Sequence, residues 1–191
     1  MQAINEYAVP YKVKAADYHS KRMRRLLELG LVVGEAMEQL EGEERAIAYG
    51  RHDRFFWEFE SFLFQLYSAF DLVLQELSLR RGLGIRPDKI TWEKVAKKLP
   101  DDSVVKHLRS VRNEDWFIRL QQCRHEITHR RPPVFVYIAN AGKVEAAAFG
   151  WSVMGVKGLG GPEVFEVLDR WWTSARDALV EALKLMRRAG P

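Results

Sequence analysis

The sequence DRFFWEFESFLFQLYSAFDLVLQELSLRR, residues 53–81, has the strongest helical pattern in the chain. Its apolar residues recur every three or four positions, which predicts a helix over 54–81 with Asp53 as the N-cap. One stripe of this helix is Phe55, Phe59, Phe62, Leu66, Ala69, Val73 and Leu77, and a second is Phe56, Leu63, Tyr67, Phe70 and Leu74. Two adjacent stripes predict a helix that is buried over most of its circumference, at the centre of a helical bundle.

Further helices are predicted on both sides of this central helix. Apolar spacing indicates helices over 17–40, 114–130 and 163–188, and Thr91 caps a short helix that ends at Lys98. A short helical piece is also expected up to Gly50. The first 15 residues, with Pro10 among them, are expected to form an extended N-terminal arm.

The periodicity changes after Pro132 and Pro133. Residues 134–138 are β-branched and aromatic, and turn residues at 140–142 separate them from 144–149, a candidate return strand. This pattern predicts a β-hairpin. Residues 150–162 contain five glycines and are expected to form a loop. The predicted fold class is therefore mainly α, a four- to five-helix bundle with an inserted β-hairpin near residues 133–150 and an insertion that spans 133–162.

Composition limits the class of protein. The chain has 191 residues, 47% of them hydrophobic, which predicts a single domain over 1–191 and excludes intrinsic disorder. Its one cysteine excludes a disulfide scaffold. Charge-free runs reach only about a dozen residues, short of the roughly 18 that a membrane helix needs. The N-terminus resembles no signal peptide, so a soluble, cytoplasmic protein is expected. The net charge of +4 permits a polyanionic partner without implying one.

Two motifs with candidate catalytic residues overlap in the stretch CRHEITHRRPP, residues 123–133. The first is H-E-x-x-H at 125–129, in which two histidines on one helix face bind zinc and the glutamate is the general base. Its surroundings argue against a zinc hydrolase. Arg130 and Arg131 follow the second histidine, and the two prolines end the helix at once.

The second pattern is R-x4-H, formed by Arg124 and His129 with the polar His125 directly after the arginine. This pattern resembles the signature of the HEPN superfamily of small helical bundles, in which the motif lies near the end of a late helix. The resemblance extends loosely to the aromatic-rich helix over 55–79. Many HEPN proteins are metal-independent endoribonucleases, and others only bind RNA or nucleotides.

The resemblance implies catalytic roles for Arg124, His129 and His125, with no metal and no cofactor. Histidine titrates near neutrality and suits removal of a proton from the 2′-hydroxyl of RNA. Arginine suits the negative charge that develops on the phosphate. On an ideal helix Arg124 and His129 point about 140° apart. Because HEPN dimers commonly bring two motifs to one cleft, a homodimer is expected.

Other residues are candidates for supporting roles. Asp71, and more weakly Glu60, lie on the central helix and are expected either to orient an active-site side chain or simply to form its exposed polar edge. Arg119, Arg130 and Arg131 are candidate RNA-binding residues, because with Arg124 and Glu126 they give residues 119–131 a net charge of +3.

Three functions remain open at this point. The first is a HEPN-like endoribonuclease, for which analogy alone implies a role as a toxin or antiviral effector with an antitoxin or other protein partner. The second is a HEPN-like bundle that binds RNA, a nucleotide or a protein and cleaves nothing. The third and most remote is a zinc hydrolase. Cys123 lies on the apolar seam of its helix and is expected to be a core residue.

Overall fold

The structure is a computed structural model, and it describes residues 4–29, 36–39, 45–50, 53–129, 135–140, 143–149 and 163–188. Within these residues run the helices α1 (Ile4–Glu28), α2 (Asp53–Arg80), α3 (Trp92–Lys98), α4 (Ser103–Arg112), α5 (Asp115–His129) and α6 (Val164–Arg188). The strands are β1 (Ala36–Gln39), β2 (Arg45–Gly50), β3 (Phe135–Asn140) and β4 (Lys143–Phe149), and Pro87–Lys89 forms a 3₁₀ turn. The fold is mainly helical, which confirms the predicted helical bundle.

Helix α2 is the central element of the core, as its two apolar stripes predict. Every residue of the first stripe is fully buried, and the second stripe is buried except for the half-buried Tyr67. Phe135 of β3 packs edge-on against Phe55 and Phe59, with ring centroids 4.9 and 5.2 Å apart. Buried residues from all six helices, β3 and β4 form one continuous cluster around α2.

Helix α1 corrects the predicted N-terminal arm, because residues 4–15 are helical and Pro10 lies inside the helix. Val9, Val13 and Ala16 are buried and continue the seam that Met23, Leu26 and Leu27 form further along. A proline inside a helix removes one backbone hydrogen bond and costs about 3 kcal/mol. Burial of this seam against α2 offsets that cost, so the helix runs through Pro10.

The segment after α1 also differs from the prediction. Helix α1 ends at Glu28, and 36–39 and 45–50 are strands, so the helices predicted over 17–40 and up to Gly50 are wrong there. The sheet order is β1-β2-β3-β4 with antiparallel neighbours, and Ile47 of β2 lies opposite Ile138 of β3. Strands β3 and β4 therefore belong to a four-stranded sheet rather than to an isolated inserted hairpin. The loop predicted at 150–162 lies outside the described residues.

Helices α2, α3, α5 and α6 agree with the predicted boundaries to within about two residues. The Thr91 hydroxyl accepts a hydrogen bond from the Lys94 amide at 3.4 Å, which confirms Thr91 as the cap of α3. The Asp102 carboxylate caps α4 by accepting from the Val104 amide at 2.8 Å. No helix in the part of the chain that the structure describes is long and apolar enough to span a membrane.

Candidate functional site

The candidate site forms where α5 packs against α2, around Arg124. Leu120 and Cys123 of α5 are fully buried, so residue 124, about 100° further round the helix, lies at the edge of the packed face. There the Arg124 guanidinium lies over the ring of Tyr67, with Cζ 4.2 Å from the ring centroid. Such a cation–π contact contributes about 0.5–1 kcal/mol where it is exposed, and it fixes the position of the guanidinium.

Asp71 lies one turn beyond Tyr67 on α2, and the structure brings it close to Arg124. Asp71 as a whole is an exposed residue. Even so, partial burial of its carboxyl group removes water from it and raises the pKa of Asp71 above its ordinary value. The guanidinium groups of Arg124 and Arg112 act in the opposite direction and lower that pKa. Asp71 thus lies on the exposed edge of α2 and is an electrostatic neighbour of Arg124. Whether it orients an active-site side chain stays a prediction.

Glu60 lies on the same face of α2 as Tyr67, two turns closer to the N-terminus. Its side chain is exposed. At about 1.5 Å of rise per residue, the two positions are about 10 Å apart along the helix axis. Glu60 therefore shares a surface with the site without belonging to the cluster around Arg124.

A cavity of about 400 Å³ opens beside Arg124. This volume lies in the range typical of sites for small ligands, about 300–1,000 Å³. The Thr128 hydroxyl, at its rim, donates to the Arg124 carbonyl at 2.8 Å. Most of the lining side chains can donate or accept hydrogen bonds: Tyr67, Ile118, Gln121, Gln122, Arg124, His125, Glu126 and Thr128. The cavity therefore suits a polar ligand with negative charge near the guanidinium.

The two histidines of the motif differ in what the structure shows. His125 is exposed and lines the cavity beside Arg124. His129 is the last residue of α5, where the regular backbone places it one turn after His125 and about 140° round the axis from Arg124. The side chain of His129 and all of Arg130 and Arg131 lie outside the described residues.

Arg119 lies away from the cavity. It is about 140° round α5 from Arg124 and donates to Asp115 at 2.8 Å in an exposed ion pair. It lines a second cavity of about 540 Å³, between α5 and α6, with Arg170 and Trp171. The structure therefore does not bring Arg119 together with Arg124.

Two residues that contribute to the site were not foreseen. Tyr67 belongs to an apolar stripe, and its stripe position alone does not indicate a role in the site. Its ring lies beneath Arg124 because α5 packs against α2 at this point. The Arg112 guanidinium, at the end of α4, lies over Trp92 and Phe117 with Cζ 5.0 and 5.4 Å from their centroids. Nothing in the local sequence around Arg112 indicates this position, since it depends on how α4 and α5 pack.

Cys123 is a core residue, as expected. It is fully buried, and desolvation raises the pKa of its thiol, with the charge of Glu126 raising it further. The neutral thiol therefore dominates at all ordinary pH values, and Cys123 is no candidate nucleophile.

The H-E-x-x-H pattern consists of residue types that can bind zinc. No cluster of three His, Cys, Asp or Glu side chains able to hold a metal ion occurs among those that the structure describes, which do not include the side chain of His129.

Comparisons with known proteins leave the family open. The chain matches no protein-family model, no curated protein and no solved structure. The resemblance to the HEPN superfamily therefore stays a prediction that is based on the R-x4-H motif and its place in a helical bundle.

Proposed function

We propose that this protein is a HEPN-like RNA-binding protein that cleaves RNA without a metal at the cavity beside Arg124. The observation that carries the proposal is the guanidinium of Arg124, stacked on Tyr67 at the rim of a polar cavity. Asp71 is its electrostatic neighbour. A positioned arginine of this kind suits a phosphodiester.

The proposed reaction uses the 2′-hydroxyl of the RNA as the nucleophile. A histidine of the motif removes the hydroxyl proton, the 2′-oxygen attacks the adjacent phosphorus, and the bond to the 5′-oxygen breaks. The leaving oxygen takes up a proton, which gives a 2′,3′-cyclic phosphate and a 5′-hydroxyl. Arg124 stabilises the negative charge that gathers on the phosphate oxygens in the transition state.

The proposed active form is a homodimer. Positions 124 and 129 are about 140° apart round the axis of α5, so they lie on different faces of one regular helix. A second copy that faces the first supplies the complementary histidine to each arginine. Of the two histidines, His125 already lies at the cavity of its own chain and is the alternative base.

RNA cleavage in the presence of EDTA tests the proposal. We expect the protein to cleave single-stranded or structured RNA in EDTA, and Arg124→Ala and His129→Ala to lower the rate by about 100-fold or more, the effect of losing a charge-stabilising group or a general base. Arg176→Ala is the matched control, because Arg176 is an exposed arginine on α6 paired with Asp177 and should leave cleavage unchanged.

Two results would contradict the proposal. Cleavage that persists at the same rate in both motif variants comes from another site or a contaminating nuclease. About one zinc ion per chain, lost in His125→Ala, would instead support the zinc hydrolase.

A non-catalytic role is the second candidate. It is favoured by the guanidinium of Arg124, which is stacked on Tyr67 at a polar cavity and could bind a phosphate without help from a histidine. RNA binding that Arg124→Ala weakens, with no cleavage in EDTA or in magnesium, would support this role.

A further inference from the structure

Helix α1 carries an exposed ridge of aromatic and basic side chains that the cleavage site does not use. The ridge consists of Tyr7, Tyr11, Lys14, Tyr18, Lys21, Arg22 and Arg25, and all seven are exposed. The three tyrosines keep 86%, 68% and 57% of their surface accessible. On an α-helix these seven positions occupy an arc of only about 100°. Large aromatic residues exposed in one line are unusual on a helix whose opposite face is buried.

The ridge has four basic residues and lies in a basic stretch of the chain. From Tyr7 to Arg25 the chain has six basic residues and one acidic residue, Asp17, a net charge of +5 against +4 for the whole chain. Lys21, Arg22 and Arg25 pair with carboxylates at 2.6 to 3.3 Å, and these cations are exposed. Exposed pairs contribute little to stability, so the cations remain available to a polyanion.

The C-terminal end of the ridge opens into a cavity of about 340 Å³ between α1 and α2. Arg22, Arg25 and Arg54 line it, together with the indole of Trp57, which is 58% exposed. Glu58 is the acidic residue of this cavity, and it already accepts from Arg22 and contacts His19 Nδ1 at 2.7 Å. An exposed indole beside three guanidinium groups suits a base that stacks and a phosphate that pairs.

The ridge is connected to the Arg124 site across α2. Lys12, next to Tyr11, donates to Gln65 at 2.8 Å, and its Nζ lies 5.5 Å from the centroid of Phe64. Phe64 is 53% exposed and precedes Tyr67 by one turn on the same side of α2. The half-buried Lys12 and the exposed Phe64 therefore lie between α1 and the half-buried Tyr67, whose ring is beneath Arg124.

We infer that the α1 ridge binds single-stranded RNA and guides it to the cavity beside Arg124. This inference rests on the RNA-binding part of the proposed function and names the form of the RNA and its path. Successive tyrosines, about 6 and 10 Å apart along the helix, offer stacking surfaces to unpaired bases, while the interleaved cations contact phosphates. Bases in a duplex are stacked on each other and cannot use such a surface.

Charge decides between this ligand and a second copy of the chain. A twofold interface would place the ridge against itself and bring four cations of one copy to four of the other. Like charges that face each other disfavour association. Single-stranded RNA complements the ridge in charge, through its phosphates, and in stacking, through its unpaired bases.

Binding of a fluorescent 2′-O-methyl oligouridylate, which lacks the nucleophilic hydroxyl, tests the inference by fluorescence anisotropy. We expect Tyr11→Leu/Tyr18→Leu to weaken binding by about tenfold or more, because stacking is lost for two bases. Tyr11→Phe/Tyr18→Phe is the matched control, since it keeps both rings and should bind like the wild type. Lys14→Gln/Lys21→Gln should reduce the salt dependence of binding, because fewer phosphate contacts release fewer counterions.

Three results would overturn the inference. One is unchanged affinity in the Tyr→Leu pair, and another is equal affinity of the wild type for single-stranded and duplex RNA. The third is an unchanged salt dependence of binding in the lysine pair, which would show that the ridge lysines contact no phosphates. Cleavage assays of Arg124→Ala separate the two proposals. Loss of cleavage in Arg124→Ala, with unchanged RNA binding in the Tyr→Leu pair, overturns only the ridge. RNA binding that needs the tyrosines, with cleavage at the wild-type rate in Arg124→Ala, overturns only the cleavage site.

Discussion

Among single residues, the contact between Arg124 and Tyr67 reduces the conformational entropy that Arg124 loses when a ligand binds. A free arginine side chain loses about 2 kcal/mol of conformational entropy when it is fixed. The Arg124 guanidinium is already stacked on the Tyr67 ring, 4.2 Å from its centroid, before any ligand arrives. Part of that loss therefore occurs on folding, and a bound phosphate meets a preorganised donor.

Asp71→Asn tests the electrostatics of the same cluster. The pKa of Asp71 is raised above its ordinary value of 3.8 in the folded state, so ionisation destabilises the fold. This group's contribution to stability is fully present below pH 3.8 and is lost as the pH rises through the folded-state pKa. Asparagine has the same shape and does not titrate. We expect the melting temperature of Asp71→Asn, relative to the wild type, to rise with pH across that window.

Glu60→Gln is the control for this comparison, because Glu60 is an exposed carboxylate on the same face of α2. If the difference in melting temperature between Asp71→Asn and the wild type stays constant from acidic to neutral pH, the pKa of Asp71 is not raised in the folded state.

The cluster around Arg124 could be predicted from the sequence only in part, because two of its members are brought there by the packing of helices. Arg124 and Asp71 were identified because a charged residue stands out in an apolar or motif-bearing stretch. Tyr67 and Arg112 were missed, since an aromatic in an apolar stripe and an arginine at a helix end are both ordinary. Their roles arise from the packing of α2, α4 and α5, which local sequence does not specify.

At the scale of elements, α2 and α1 show where periodicity succeeds and where it fails. The stripes of α2 predict its burial residue by residue, because each turn repeats the same apolar pattern. Around Pro10 a local rule indicated an extended arm, yet Val9 and Val13 on either side continue the buried seam of α1. Tertiary burial outweighs the local preference of one proline.

Val9→Ala tests whether the first turns of α1 belong to the core. Val9 is 1% exposed, so its truncation should lower the free energy of unfolding by about 2 kcal/mol, from lost burial and the space left behind. Urea denaturation measures this. Lys14→Ala, at an exposed position of the same helix, should change stability by less than about 0.5 kcal/mol. Equal, negligible effects of both substitutions would show that the segment is an undocked arm.

At the scale of the whole molecule, the sheet shows a further limit of sequence reasoning. Strand β2 pairs with β3 across more than 80 residues of chain, and its residues were expected to be helical. A strand acquires its stability from a partner, so a short segment such as 45–50 has no decisive signal of its own. The segment that precedes α2 and the one that follows α5 thus meet in one sheet, which the sequence of neither predicts.

The oligomeric state tests the proposed shared cleft. We expect light scattering to give about twice the chain mass of 22.2 kDa, because one copy presents Arg124 and His129 on different faces of α5. Mixing Arg124→Ala with His129→Ala subunits should restore part of the cleavage activity, since each mixed dimer keeps one intact pair. A mass of 22.2 kDa at all concentrations, with no recovery on mixing, would rule out the shared cleft.

The burial of Cys123 also determines how the protein can be labelled. It is the one thiol in the chain, it is fully buried, and its raised pKa keeps it in the unreactive neutral form. A maleimide dye or spin label will therefore react selectively with a cysteine introduced at the surface, without removal of the natural one. Probes at Lys14 and Gln121, for example, would report the distance between the two helices α1 and α5 in the folded protein.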